Sequence, residues 1–299
     1  MKAAFGDGEG HAQWRDVASP NGAGARVRVR AAGLNRADLL QVAGKYPPPP
    51  GESDILGMEC AGEGANGQRV CMLLGSGALA DEVVVDERLL LELPARFSFA
   101  QGAAIPEVWL TAFLNLFVEG GLAPGERVLI HAGASGVGTA AIQLARRAGA
   151  HVIATSRTAN KLAKCVALGA HEAVHADQVK EPVDVILDVL GGGALSANLS
   201  LLKRGGRLVC IALMQGRTGE LDLGRVMTQR LHLQGSTLRS RSLDEKVSLT
   251  ARFRREVMPA FASGELVPVI DSTFSSGTLN EALAHLASNG TFGKVVITL

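Results

Sequence analysis

The stretch Val128 to Ala145 contains no Asp, Glu, Lys or Arg. Its length would suit a membrane span, but Gly133, Gly136 and Gly138 interrupt its centre. It reads instead as an apolar strand (Val128–His131), a tight turn and a helix (Val137–Ala148) that stops before Gly149. The turn is Ala132-Gly133-Ala134-Ser135-Gly136-Val137-Gly138. A glycine-rich turn between a strand and a helix lets backbone approach an anion closely, and the helix start points free N–H groups at it. The pattern is not a clean G-x-G-x-x-G, because Gly133-x-Ser135 replaces the first two glycines. Its context still marks a dinucleotide-binding turn, with Ser135, Gly136 and Val137 as pyrophosphate contacts.

Alternating strands and helices surround this turn. A helix at Glu107–Val118 ends at Gly120-Gly121. Further strands are expected at His151–Thr155, Glu172–His175, Val183–Val189, Arg207–Ala212 and Leu231–Ser236. Helices at Ala159–Leu168 and Ala194–Lys203 stop before Gly169 and Gly205-Gly206. Six strands with helical crossovers describe a doubly wound parallel sheet. The first 105 residues differ: Arg26–Ala32 alternates valine with arginine, Val83–Val85 forms another strand, and Pro47–Pro50 enforces a loop. The tail carries capping boxes at Ser242–Glu245 and Thr278–Glu281 and a last strand, Lys294–Thr298, expected to return to the first domain. The fold class is therefore α/β. A β-rich domain (1–105 and 246–299) accompanies a nucleotide-binding domain (106–245).

Composition excludes several functions. Hydrophobic residues make up 47% of the 299, enough to bury a sizeable core. Thirty Lys and Arg against 29 Asp and Glu leave a net charge of +1, so nucleic acid is an unlikely partner. Aromatic residues are 4%, with Tyr46 the single tyrosine, which leaves little for base stacking. Cys60, Cys71, Cys165 and Cys210 form no C-x-x-C pair and suit reduced thiols in the cytoplasm. Met1–Gly10 lacks the apolar run of a signal peptide, and no membrane partner is expected.

Cofactor choice rests on the end of the second strand. An NAD-preferring site carries Asp or Glu there for the ribose 2′-hydroxyl. Here the chain reads Thr155-Ser156-Arg157-Thr158-Ala159-Asn160-Lys161, without a carboxylate. Ser156, Arg157 and Lys161 offer donors to a 2′-phosphate, which favours NADPH by ~2–4 kcal/mol.

Further motifs carry a family resemblance: Ala32-Gly-Leu-Asn35-Arg-Ala-Asp38, Ile55-Leu-Gly-Met-Glu59-Cys-Ala-Gly62, Ala104-Ile-Pro-Glu107-Val-Trp-Leu-Thr111-Ala-Phe113, the phosphate turn, and Gly293-Lys294. Together they resemble the quinone oxidoreductase (ζ-crystallin-like) branch of the medium-chain dehydrogenase/reductase superfamily, nearest its p53-inducible subgroup. The resemblance spans nearly the whole chain, although Gly62–Val70 and Ala176–Asp184 are shorter than usual. It implies a GroES-like catalytic domain, a Rossmann domain and a homodimer built through the edge strand Leu231–Ser236. Zinc members have Gly-His-Glu where this chain has Gly57-Met58-Glu59, and the cysteine ligand near Asn35 is missing. A thioether is no ordinary zinc ligand, so no metal is expected.

The resemblance also implies roles. Asn35 and Tyr46 border nicotinamide and substrate and form the catalytic pair. Tyr46 and Thr111 contact the cofactor, and Leu213, Met214 and Leu238 line the nicotinamide. Asn289 and Lys294 reach the phosphates. Asp38 and Glu59 read as structural carboxylates, and His131 as packed at a strand end. Arg239, Arg241, Arg252, Arg254 and Arg255 read as a solvated cationic face, with Arg239 the one nearest the cleft. The implied activity is hydride transfer from NADPH to a quinone without zinc. An enal or enone C=C reductase is the alternative, and an NADPH-sensing or RNA-binding module is a third reading.

Overall fold

The computed structural model describes residues 1–299 as two compact units: Met1–Leu110 with Leu238–Leu299, and Thr111–Thr237. No helix is long and apolar enough to cross a membrane.

The first unit opens with an antiparallel pair, β1 (Lys2–Gly6) and β2 (Ala12–Asp16). The long β3 (Ala25–Leu34) buries Val27 and Val29 and turns its arginines outward, as a period of two requires. α1 (Arg36–Val42) follows directly. β4 (Glu59–Gly64) and β5 (Arg69–Leu73) form a hairpin, β6 (Glu82–Val85) pairs with β3, and β7 (Leu90–Glu92) pairs with β5. α2 (Phe99–Ala103), capped by Ser98 and Gln101, leads to α3 (Pro106–Phe113).

The expected single helix over 107–118 is not uniform. After Phe113 it widens into a π-helical turn, Leu114–Glu119. The Asn115 amide donates to the Thr111 carbonyl (2.7 Å), and Gly120 N–H reaches back to the Asn115 carbonyl (3.1 Å). Such widened turns concentrate at functional sites.

The second unit is a six-stranded, all-parallel sheet. Its elements are β8 (Arg127–Ile130), α4 (Gly136–Arg147), β9 (His151–Thr155), α5 (Ala159–Ala167), β10 (Glu172–Val174) and β11 (Val183–Asp188), followed by α6 (Leu195–Leu201), β12 (Leu202–Cys210), α7 (Leu223–Gln229) and β13 (His232–Gly235). The strand order β10-β9-β8-β11-β12-β13 reverses direction between β8 and β11. Ligands of doubly wound sheets bind outside the strand ends at that reversal. The helix expected over 194–203 ends at Leu201, where β12 begins; Gly205, at φ +75°, lies in an irregular stretch of β12 rather than capping the helix. All four residues of β13 are exposed at the sheet edge.

The chain then returns to the first unit through α8 (Leu243–Glu256), α9 (Met258–Ser263), β14 (Ile270–Ser275), α10 (Leu279–Ala287) and β15 (Lys294–Thr298). β15 pairs antiparallel with β3 and parallel with β14, giving the sheet β14-β15-β3-β4-β5-β7. The Ser242–Glu245 capping box forms. The one expected at Thr278–Glu281 does not, because the Thr278 hydroxyl donates to the Ser275 carbonyl (3.1 Å).

Candidate active site

The phosphate turn lies at the C-terminal end of β8. Ala132 adopts φ +49°, an uncommon conformation for a residue with a side chain. Gly133 N–H donates to the Thr155 carbonyl (2.8 Å), which ties the turn to β9. Ser135 caps α4 by accepting from Gly138 N–H (3.0 Å). A Cβ on Gly138 would sit 2.4 Å from the Ala132 carbonyl oxygen, and one on Gly133 would sit 2.9 Å from the Ala154 methyl. Glycine at both places lets the helix start close over the turn. The first N–H groups of α4, at Gly136 and Val137, carry the positive end of the helix dipole. This cradle fits a pyrophosphate.

Beneath it lies a buried polar network that the sequence did not reveal. His131 is 3% exposed; its Nδ1 meets Thr155 Oγ1 (3.0 Å) and its Nε2 meets Asn198 Oδ1 (2.7 Å). Asp188, at the end of β11, accepts from Leu190 N–H (2.7 Å) and Gly191 N–H (3.2 Å). Burial pushes the His131 imidazole below its ordinary range and the Asp188 carboxyl above its own. A buried strand-end histidine was expected from sequence; its link to β9, β11 and α6 was not.

At the end of β9, Ser156 and Lys161 are half-buried and Arg157 is exposed. The first turn of α5 holds no acidic residue. Leu213 and Met214 follow β12 and remain 49% and 45% exposed. Their loop is joined to the loop after β11, with Met214 N–H on the Val189 carbonyl (3.1 Å) and Gln215 N–H on the Leu190 carbonyl (2.7 Å). Thr111 is buried in α3.

The first unit holds a buried ionic cluster around Asn35. Lys294, 4% exposed, donates to the Leu34 carbonyl, Asn35 Oδ1 and Glu59 Oε1, each at 2.6 Å. Asn35 Nδ2 donates to the same Glu59 oxygen (2.9 Å), and Glu59 Oε2 accepts from Glu107 N–H (2.8 Å) at the start of α3. A Cβ on Gly33 would fall 2.5 Å from both the Glu59 carboxylate and the Ala103 carbonyl oxygen, so glycine leaves room there for the buried carboxylate and for the end of α2. Asp38 accepts from Asn35 N–H (2.7 Å) and Gly57 N–H (3.1 Å), and burial raises its pKa to about 6.

The three protons of the Lys294 ammonium match these three acceptors, so in this structure Lys294 serves the buried cluster around Asn35 and Glu59. Asn289, at φ +59°, bonds Arg36 and the Ala287 carbonyl (3.2 Å). Leu238 is buried. Arg239 is also buried, not solvated, and its guanidinium lies 4.9 Å from the centre of the Tyr46 ring. Met58 is 4% exposed, and no three His, Cys, Asp or Glu side chains converge to hold a metal.

The family model described as zinc-binding dehydrogenase matches residues 136–255. The spectinabilin polyketide synthase system protein NorB of Streptomyces orinoci is 37% identical over 95% of the chain, although the chain spans 14% of that relative's length. The quinone oxidoreductase of Thermus thermophilus, solved alone and with NADPH, superposes with a TM-score of 0.89 at 34% identity over the full length of both chains. The CurK enoyl reductase superposes with a TM-score of 0.84 at 26% identity, covering 99% of this chain and 98% of its own.

Proposed function

The chain belongs to the medium-chain dehydrogenase/reductase superfamily, in its quinone oxidoreductase branch, and from that premise we propose that it is a zinc-independent NADPH:quinone oxidoreductase. The observation that carries the cofactor half of this reading is the end of β9. Ser156, Arg157 and Lys161 follow that strand closely in sequence with no carboxylate between residues 155 and 161, and we read them as a donor set for a 2′-phosphate. In the second unit, Ser135 holds the turn in shape, Gly136 and Val137 present N–H groups to the pyrophosphate, and Thr111, Leu213 and Met214 border the nicotinamide. The exposed Leu213 and Met214 make sense as an apolar wall awaiting a ring.

When bound, NADPH supplies a hydride. The chain's own residues position the acceptor. In the first unit, Asn35 has its amide fixed by Glu59 and Lys294 and acts as a rigid wall. Tyr46, with Arg239 against its ring, offers its hydroxyl to an acceptor carbonyl. Leu238 adds apolar lining. Met58 stands where zinc relatives place a histidine, so no Lewis acid is available to ionise an alcohol. An acceptor that is already electrophilic needs only hydride and positioning, with the proton coming from solvent. Four unpaired cysteines suit a reducing compartment, and we place the protein in the cytoplasm.

The likeness to the CurK enoyl reductase favours a second reading, reduction of a conjugated C=C bond. Parallel kcat/KM values for an ortho-quinone and for an enal, both with NADPH, separate the two. The quinone reading expects the quinone to be preferred by about tenfold or more. A preference for the enal of that size would replace it with the C=C reading.

A further inference from the structure

Arg239 is 7% exposed. Its Nε donates to the Gly75 carbonyl (2.8 Å), its Nη2 donates to Gln41 Oε1 (2.7 Å), and Nη1 is buried with no partner. The next residue after Gly75 repeats the theme: the Ser76 hydroxyl is buried and bonds nothing. Lys246, on α8, is 8% exposed. Burial lowers its pKa, the nearby Arg239 charge lowers it further, and Glu52 and Glu245 oppose that. Asp38 also feels the Arg239 charge, but both its oxygens are engaged by backbone N–H groups. Two largely buried cations and the exposed Glu52 carboxylate, which packs against Gly75, therefore share one region, and no carboxylate bonds the Arg239 guanidinium. An unsatisfied buried donor costs about 1–3 kcal/mol, more for a charged one, so its retention calls for a ligand that satisfies it.

We infer that Arg239, Ser76 and Lys246 form an anion subsite beside Tyr46, which takes a carboxylate, sulfonate or phosphate group carried by the acceptor. The inference rests on Tyr46 bordering the acceptor, as proposed above. It deepens that reading by naming the substrate class: an electrophilic acceptor bearing an anionic group. Arg239 sets specificity in two ways, by pairing with the anion through its planar fork and by holding the Tyr46 ring with its face.

Binding without turnover tests this directly. The NADPH complex is titrated calorimetrically with naphthalene-2-carboxylate and with the isosteric carboxamide. The expected result is a carboxylate preference of about tenfold or more, falling to about twofold or less in both Arg239→Gln and Lys246→Met. Lys246→Met keeps the test alive if Arg239→Gln does not fold. Equal affinities in the wild type overturn the inference, as does a preference that survives in the folded variants. Carboxylate binding seen in the free protein and lost under saturating NADPH also overturns it, because the subsite then serves a cofactor phosphate. Turnover of a sulfonated ortho-quinone against its neutral parent provides a second arm. If neither is reduced, the quinone reading fails, and the calorimetric result still decides the subsite.

Discussion

The ammonium of Lys294 donates its three protons to oxygens of Leu34, Asn35 and Glu59, all inside the first unit. Removing it leaves the fully buried Glu59 carboxylate without its cation, which costs about 3–5 kcal/mol. Lys294→Met should therefore lower the denaturant midpoint sharply. The folded fraction should bind NADPH and NADH in the same ratio as the wild type; a loss confined to NADPH would return Lys294 to the phosphates. The reverse holds at the end of β9. Arg157→Ala with Lys161→Ala should weaken NADPH by about tenfold to a hundredfold and spare NADH, measured by fluorescence titration. Equal losses for both cofactors would remove the 2′-phosphate assignment. The two positions also differ in how far sequence discloses them. Arg157 and Lys161 are interpretable because they follow a recognisable strand at a fixed distance from the turn. Lys294 meets Asn35 across 259 positions of chain, and nothing near Gly293-Lys294 announces that partner.

At the scale of elements, local periodicity carries furthest where an element's partners are close in sequence. β8, the phosphate turn and α4 are legible for that reason. Less legible are places where an alternative hydrogen bond or pairing displaces the regular one: the π-helical turn at Leu114–Glu119, the early start of β12, and the failed cap at Thr278, whose hydroxyl bonds Ser275 instead. α1 offers a test of its own. Its capping carboxylate, Asp38, has its pKa raised by burial from 3.8 to about 6. The native protein thus holds this proton more tightly than the unfolded chain does. The contribution to stability is fully present below about pH 4 and is lost as pH rises through about 6, by about 3 kcal/mol at most. The unfolding free energy of the wild type relative to Asp38→Asn should fall between pH 4 and 6.5 in urea titrations. A difference that rises over that range would mean the carboxylate is stabilised in its charged form.

At the scale of the whole molecule, the fold class and the return of the last strand to the first unit follow from sequence, because strand and helix periods, glycine stops and family motifs agree, whereas its pairing with β3 comes from the structure. The exposed β13 edge is the surface we propose for pairing with a second copy, and an unpaired edge strand is what such pairing needs. Light scattering should give a dimer mass, and Leu233→Pro, which removes a donor from that edge, should give a monomer. A monomeric wild type would end that proposal. The central claim, quinone reduction by NADPH without zinc, is tested most directly by NADPH oxidation in protein dialysed against a chelator, with an ortho-quinone as acceptor and an acceptor-free blank. The account predicts quinone-dependent oxidation well above the blank, undiminished by dialysis and unaccompanied by stoichiometric zinc. One tightly held zinc per chain whose removal abolishes turnover, or no oxidation despite measurable NADPH binding, would contradict it.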